Sequence, residues 1–133
     1  MDEELLLPPE VLGKASLEGR EYAWRIADVP EVIAAARSRG LAALGWEVQF
    51  RTPGGICELY WLGPHAESRH RDEPWSEYID RSAQHLLNEF NRLVADTDLV
   101  EEGVKSFRLL AKLREDGVGL DEYLCFVLYF SSK

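Results

Sequence analysis

The sequence predicts an α+β domain, an antiparallel-rich sheet of about five strands with two main helices packed on one face. Three observations carry that expectation. Residues 46–61, W-E-V-Q-F-R-T-P-G-G-I-C-E-L-Y-W, read as a β-hairpin whose two arms check each other. Residues 75–94 place apolar side chains at helical spacing. The order of elements (strand, helix, hairpin, long helix, two strands) is that of an α+β domain, and through residue 114 it also matches a split βαβ unit.

Taken in order, residues 1–19 form an arm that packs on the core through Leu5, Leu7, Val11 and Leu12, with Pro8-Pro9 ending any helix begun at Leu5. Tyr22, Trp24 and Ile26 alternate with Glu21, Ala23 and Arg25, the pattern of a strand with one buried face. Asp28 and Glu31 have the spacing of a capping box, Pro30 suits a first helical turn, and Gly40 marks the end of that helix. In the hairpin Phe50 faces Cys57, Val48 faces Leu59 and Trp46 faces Trp61, leaving Glu47, Gln49, Glu58 and Tyr60 on a wet side. A four-residue loop, Thr52-Pro53-Gly54-Gly55, or a two-residue turn at Pro53-Gly54 preserves this column, whereas a three-residue loop splits it; type II geometry at Pro-Gly matches hairpin twist poorly, which favours the four-residue loop.

Residues 63–74 form a polar loop, and Pro74 opens the long helix, in which Glu77 and Arg81 are spaced as an outer-face pair. Asp98 and Glu101 form a second capping box. Beyond it, Gly103 and the alternation of Phe107, Leu109, Ala111 and Leu113 favour a short helical turn at 98–102 and a strand over 105–114, with one helix to Glu115 as the rival. Residues 116–119 are a turn. Residues 122–130 read as a central strand buried on both faces, with a helix from Asp121 as the rival.

With 133 residues, 46% hydrophobic and 29% charged, the chain suits a single globular domain over 1–133. No apolar run approaches the roughly 20 residues of a membrane span. The acidic start M-D-E-E is the reverse of a signal peptide, and two cysteines in apolar settings suit a reducing compartment, so a cytoplasmic location is expected. The net charge of −9 repels nucleic acid and anionic lipid and attracts basic partners.

No catalytic motif is visible. His65 and His70 lie in the polar loop with no rigid scaffold to converge metal ligands, so neither a metal nor another cofactor is expected. His85 reads as a surface histidine beside Glu89. Cys57 and Cys125 lack the polar setting of a nucleophile, and the four tryptophans fall on faces expected to be buried. The candidate contact residues are therefore acidic: Asp96, Asp98, Glu101 and Glu102 after the long helix, and Glu115, Asp116, Asp121 and Glu122 around the last turn. Glu47, Glu58 and Tyr60 on the wet side of the hairpin join them. Such carboxylates suit an inhibitor of a basic enzyme, where opposite charge speeds encounter.

Size, acidity, the α+β layout and the aromatic hairpin together resemble the small acidic immunity proteins that bacteria make against polymorphic or contact-dependent toxins. The resemblance is one of type, and no functional residue is carried over from it. It implies a non-enzymatic protein that binds one basic toxin domain, possibly a nuclease, in the cytoplasm. The competing expectations are a small-molecule-binding or enzymatic domain with a pocket between sheet and long helix, and a homodimeric module joined through a sheet edge.

Overall fold

A computed structural model describes residues 3–65 and 67–133. Met1, Asp2 and Ala66, and with them the start of the arm and one position of the polar loop, lie outside the described residues. The protein has an α+β fold built on one five-stranded antiparallel sheet, with strand order β1-β2-β5-β3-β4. The strands are β1 (Ser16–Glu18), β2 (Glu21–Trp24), β3 (Ala42–Thr52), β4 (Gly55–Glu58) and β5 (Leu124–Ser131). The helices are α1 (Pro9–Leu12), α2 (Val29–Ser38), α3 (Trp75–Asp96), α4 (Leu99–Ser106) and α5 (Arg108–Glu115).

Because β5 runs antiparallel to both β2 and β3, those two strands are parallel and β5 separates them, which makes β2-α2-β3 a split βαβ unit. β5 is buried on both sides, as its unbroken apolar run requires: Leu124, Cys125, Phe126, Val127, Leu128 and Phe130 are all buried. The rival helix is reduced to a 3-10 turn at Asp121–Tyr123.

The hairpin keeps the expected register, pairing Gln49 with Glu58, Phe50 with Cys57 and Arg51 with Ile56. Its turn is tighter than the four-residue loop expected. Thr52 pairs with Gly55, so only Pro53 and Gly54 turn the chain, and the Thr52 hydroxyl donates to the Gly55 carbonyl at 2.7 Å. The second arm also ends early. Leu59 N–H still donates to Val48 O at 2.8 Å, but Tyr60–Leu62 then coils into a 3-10 turn, so Trp61 does not face Trp46. Trp46 stays buried and donates its indole N–H to Leu62 O at 3.0 Å, while Trp61 is 41% exposed.

The Asp28 side chain makes no capping bond: a 3-10 turn at Ile26–Asp28 runs straight into α2, giving Asp28 helical dihedrals where a cap needs extended ones. Glu31 instead pairs with Lys14 of the arm at 2.6 Å. At Asp98 the box forms as expected, its carboxylate accepting from Glu101 N–H at 3.1 Å.

The expected strand over 105–114 is helical. Gly103, taken as an interruption, lies inside α4, where a Cβ would stand 2.7 Å from Phe50 Cε1 and 2.8 Å from Leu110 Cδ1. Glycine there allows the helix backbone to reach the core. An extended residue at Phe107 (φ −128°) separates α4 from α5, and fully buried Leu110, with Phe107 and Leu113 three residues to either side, is the helical stripe that the alternation hid. The fifth strand comes instead from the arm, as β1. Within that arm Leu7 and Val11 are buried and Leu12 partly so, but Leu5 is exposed. Val11 O accepts from the Trp24 indole at 2.9 Å, tying the arm to β2.

Helices α2 and α3 lie together on one face of the sheet. The rings of Trp46, Phe90 and Phe126 meet edge-on with centroids 5.2–6.2 Å apart, filling the space between β3, β5 and α3. Ser82, 1% exposed, accepts from Ala43 N–H at 3.0 Å and donates to Ile79 O, anchoring α3 where the β3 register shifts between Ala43 and Gly45. None of the helices among the described residues is long and apolar enough to cross a membrane.

Candidate functional site

The early end of the hairpin builds the most distinctive surface of the molecule. Coiling Tyr60–Leu62 out of the strand turns two aromatic rings outward, Tyr60 at 78% and Trp61 at 41% exposure. The Trp61 ring stacks on Phe107 with centroids 6.3 Å apart, and Tyr60 meets its edge at 5.2 Å. Its indole N–H donates to Glu102 Oε1 at 3.1 Å. The aromatic pair is thus held by α4 and by the Phe107 joint, not by the sheet.

Carboxylates stand beside Trp61. Trp61 and Asp96 both line a groove of about 260 Å³, with Trp46, Pro64, His65, Glu89 and Arg92 also on its walls. Lys105, 3.0 Å from Glu102, and then the Trp61 indole hold the Glu102 carboxyl below its usual range. Glu101 pairs with Arg114, whereas no ion pair holds Asp96 or Asp98 among the described residues. Asp98, besides capping α4, shares a small depression with Asp121.

The other candidate residues are dispersed. Glu115 and Asp116 mark the end of α5, with Asp116 3.4 Å from Lys112. Glu122 lines a hollow on the helix-free side of the sheet. Glu47 and Glu58 also lie on that side, and Tyr60 does not join them. Nor is that side simply wet: Gln49 is 2% exposed. A hydrogen bond with Glu47, then burial, then the charge of Glu47 raise the Glu58 carboxyl above its usual range.

The polar loop has the scaffold that its composition did not suggest. Arg81 donates to both oxygens of Glu73 at 2.8 and 2.9 Å and to Ser68 O at 2.8 Å, a forked arrangement that replaces the expected Glu77 pair. Those hydrogen bonds, together with the His70 backbone N–H, lower the Glu73 carboxyl to about 2. His85 Nε2 lies 2.9 Å from His65 O, and Glu67 and Glu89 are 3.7 and 3.8 Å from its ring nitrogens. Among the described residues no three His, Cys, Asp or Glu side chains are arranged to hold a metal ion.

Cys57 and Cys125 are both buried, and burial pushes both thiols up, Cys125 to about 11. Neither has the lowered pKa of a nucleophile. The Trp46, Phe90 and Phe126 rings fill the space deep between sheet and long helix, and at its edge Trp46 of β3 and Glu89, Arg92, Leu93 and Asp96 of α3 line the groove beside Trp61.

The sequence pattern puts Trp61 on the dry face of the hairpin and Phe107 in an alternating strand, so neither stands out as a surface residue. One signal bears on Trp61: the run Leu59-Tyr60-Trp61-Leu62 before Gly63-Pro64 cannot alternate without exposing Leu62, which argues against a strand continuing that far. No protein family, curated protein or solved structure matches the chain.

Proposed function

We propose that this chain is a non-enzymatic binding protein whose aromatic, acid-rimmed groove takes a basic protein domain, in the manner of an immunity protein neutralising a cognate toxin domain in the cytoplasm. The observation that carries this reading is the outward pair Tyr60 and Trp61 beside Glu102 and Asp96. Large aromatics supply binding energy when a partner desolvates them, and a rim of one sign steers an oppositely charged partner into place. The total charge of −9 acts in the same direction at longer range. Of the acidic residues expected at the contact, Glu102 bonds Trp61 and Asp96 lines the same groove, and Asp98 and Glu101 are their neighbours in the chain. Glu47 and Glu58 belong to a different side and leave the proposed contact.

The test is protection. Co-expression with the C-terminal domain of a large secreted protein encoded beside this chain should rescue growth. Tyr60→Ala with Trp61→Ala should weaken the complex by about 2 kcal/mol or more, roughly 30-fold in Kd. Asp96→Lys should slow association and flatten its salt dependence while leaving dissociation nearly unchanged. Absence of rescue by well-folded wild-type protein would sink the reading, and full protection by the double aromatic variant would move the contact elsewhere.

A further inference from the structure

The sheet has two edges, β1 and β4, and they differ. Arg51 on β3 donates from Nη1 to Ser16 O at 3.0 Å and to Ser16 Oγ at 3.2 Å on β1, although β5 and β2 lie between those strands. Three strand spacings in a flat sheet are about 14 Å, farther than one arginine side chain reaches, so the sheet must curl. The curl brings the short strand β1 within reach of the Arg51 guanidinium, which takes up its Ser16 carbonyl. β4 has no such cover.

The ladder fixes which backbone groups β4 turns outward. Leu59 N–H donates to Val48 O at 2.8 Å, so Val48 and Leu59 form a hydrogen-bonded pair of the hairpin. Such pairs alternate along an antiparallel ladder, which makes Phe50 with Cys57 and Thr52 with Gly55 the next two. The N–H and C=O groups of Ile56 and Glu58 therefore point away from β3, and among the described residues no other backbone takes them up. The side chains of both residues project to the helix-free side of the sheet, where Ile56 is 52% exposed. β4 carries neither the lysine nor the proline that commonly guards an edge strand.

Charge beside this edge has one sign. The Glu58 carboxyl is hydrogen-bonded to that of Glu47 on β3, and Glu21 adds to the same field. Arg51, the cross-strand neighbour of Ile56, is committed to Gln49 and Ser16. A cation set next to Glu58 on an added strand relieves this crowding of like charges.

We infer that the β4 edge takes an extended basic segment of another polypeptide, which joins the sheet with lysine or arginine beside Glu58 and an apolar residue, two positions away, beside Ile56. In strand addition the backbone groups supply affinity and the alternate side chains supply specificity. A second copy of this chain is a poor occupant, since each copy carries a net charge of −9. The inference does not rest on the aromatic groove, and either can fail without the other.

The test uses the peptide acetyl-Thr-Lys-Thr-Val-Thr-Lys-Thr-amide, which presents the same side chains in either strand direction. A peptide with glutamate in place of both lysines is the comparison. Each is added to the isotopically labelled full chain, and amide hydrogen exchange is read residue by residue. The Ile56 and Glu58 amides should exchange freely in the chain alone and slow about 10-fold at saturation with the lysine peptide. Those of Cys57 and Leu59, already bonded to β3, should stay slow throughout. Ile56→Pro removes an outward donor and leaves the β3 ladder intact, so it should abolish the protection of Glu58. Ile56→Lys, which sets a cation on the edge without a proline in the hairpin, should do the same. Glu58→Gln should erase the preference for lysine over glutamate. Three results would overturn the inference: no slowing with the lysine peptide, equal slowing with the glutamate peptide, or slowing without peptide that grows with protein concentration, which would give the edge to a second copy.

Discussion

The two faces of the sheet exclude water by different means, although the same strands supply both. On one face Trp46, Val48 and Phe50 of β3 and Phe126 and Leu128 of β5 are covered by helices, and the work is done by close apolar packing. On the other, no helix among the described residues lies above Ala23, Cys125 and Val127, yet these residues are as deeply buried. There the sheet curls, and Arg51, Gln49 and Tyr129 close over a thin apolar floor. Tyr129 donates to Glu21 Oε2 at 3.3 Å, and burial, reinforced by Glu47, pushes its phenol well above the usual range. A strand buried on both sides therefore does not imply a second layer of helices. Depth of burial is equal, but the covered face owes its burial to fitted volume and the open face to polar side chains that must find partners.

The sharpest way to test that difference is along β5, where neighbouring residues point to opposite faces. Phe126→Ala should cost about 3–5 kcal/mol in urea unfolding, because the cavity left among the Trp46 and Phe90 rings cannot collapse. Val127→Ala, next in sequence and equally buried, should cost about 1.5–2 kcal/mol, little more than the transfer of the lost methyl groups. Equal losses would remove the distinction between the faces.

A smaller effect is expected at the joint between α4 and the covered face. Gly103→Ala sets a methyl group against Phe50 and Leu110, both fully buried and unable to yield. Overpacking of about 1–3 kcal/mol opposes a helix-propensity gain of about 1 kcal/mol, so the variant should lose up to about 2 kcal/mol in the same measurement. A stabilised variant would mean that this face is less tightly filled than the distances indicate.

The smallest effects concern pH, and their signs differ between two carboxylates. Glu58 on the open face has a raised folded-state pKa, so its stabilising contribution is full below the unfolded value near 4.5 and is lost as pH rises through the raised value. Glu58→Gln should remove that loss and add about 0.2–1 kcal/mol at neutral pH, the worth of relieving a like-charge cross-strand neighbour. Glu73, held by Arg81 in the loop, is depressed to about 2, so its contribution is present above 4.5 and is lost as pH falls from there toward 2. Arg81→Gln should lower stability at neutral pH and flatten the fall on the acid side, so that variant and wild type converge toward pH 2. Urea midpoints across the pH range read both, and a Glu58→Gln variant with the wild-type profile would show that the open face does not hold its acids under strain.

Local pattern sufficed wherever one choice of pairing or period was far better than its neighbours. The hairpin register was legible because a one-residue slip would turn Phe50 and Val48 outward. The long helix was legible because its apolar stripe has no strand equivalent, and β5 because its unbroken apolar run fits a doubly buried strand. The candidate site was legible in part. Of the acidic residues named from charge alone, Glu102 bonds Trp61 and Asp96 lines the groove beside it, but nothing local set these two apart from Glu115, Asp116, Asp121 and Glu122.

What the amino-acid order determined by itself was the α+β class, the hairpin pairing, helix α3, the central strand and the Asp98 cap, each a matter of neighbours within a few residues. Tertiary structure alone decided the rest. Residues 99–106 are helical because Gly103 lets α4 approach Phe50, residues 108–115 because Leu110 packs there too, and the arm gives up a strand because β2 offers it a free edge. Trp61 faces outward because Phe107 and Glu102, more than 40 positions along the chain, hold it there. Contacts made across such distances leave no periodicity in the sequence, and in this protein they set both the shape of the groove and the curl of the open face.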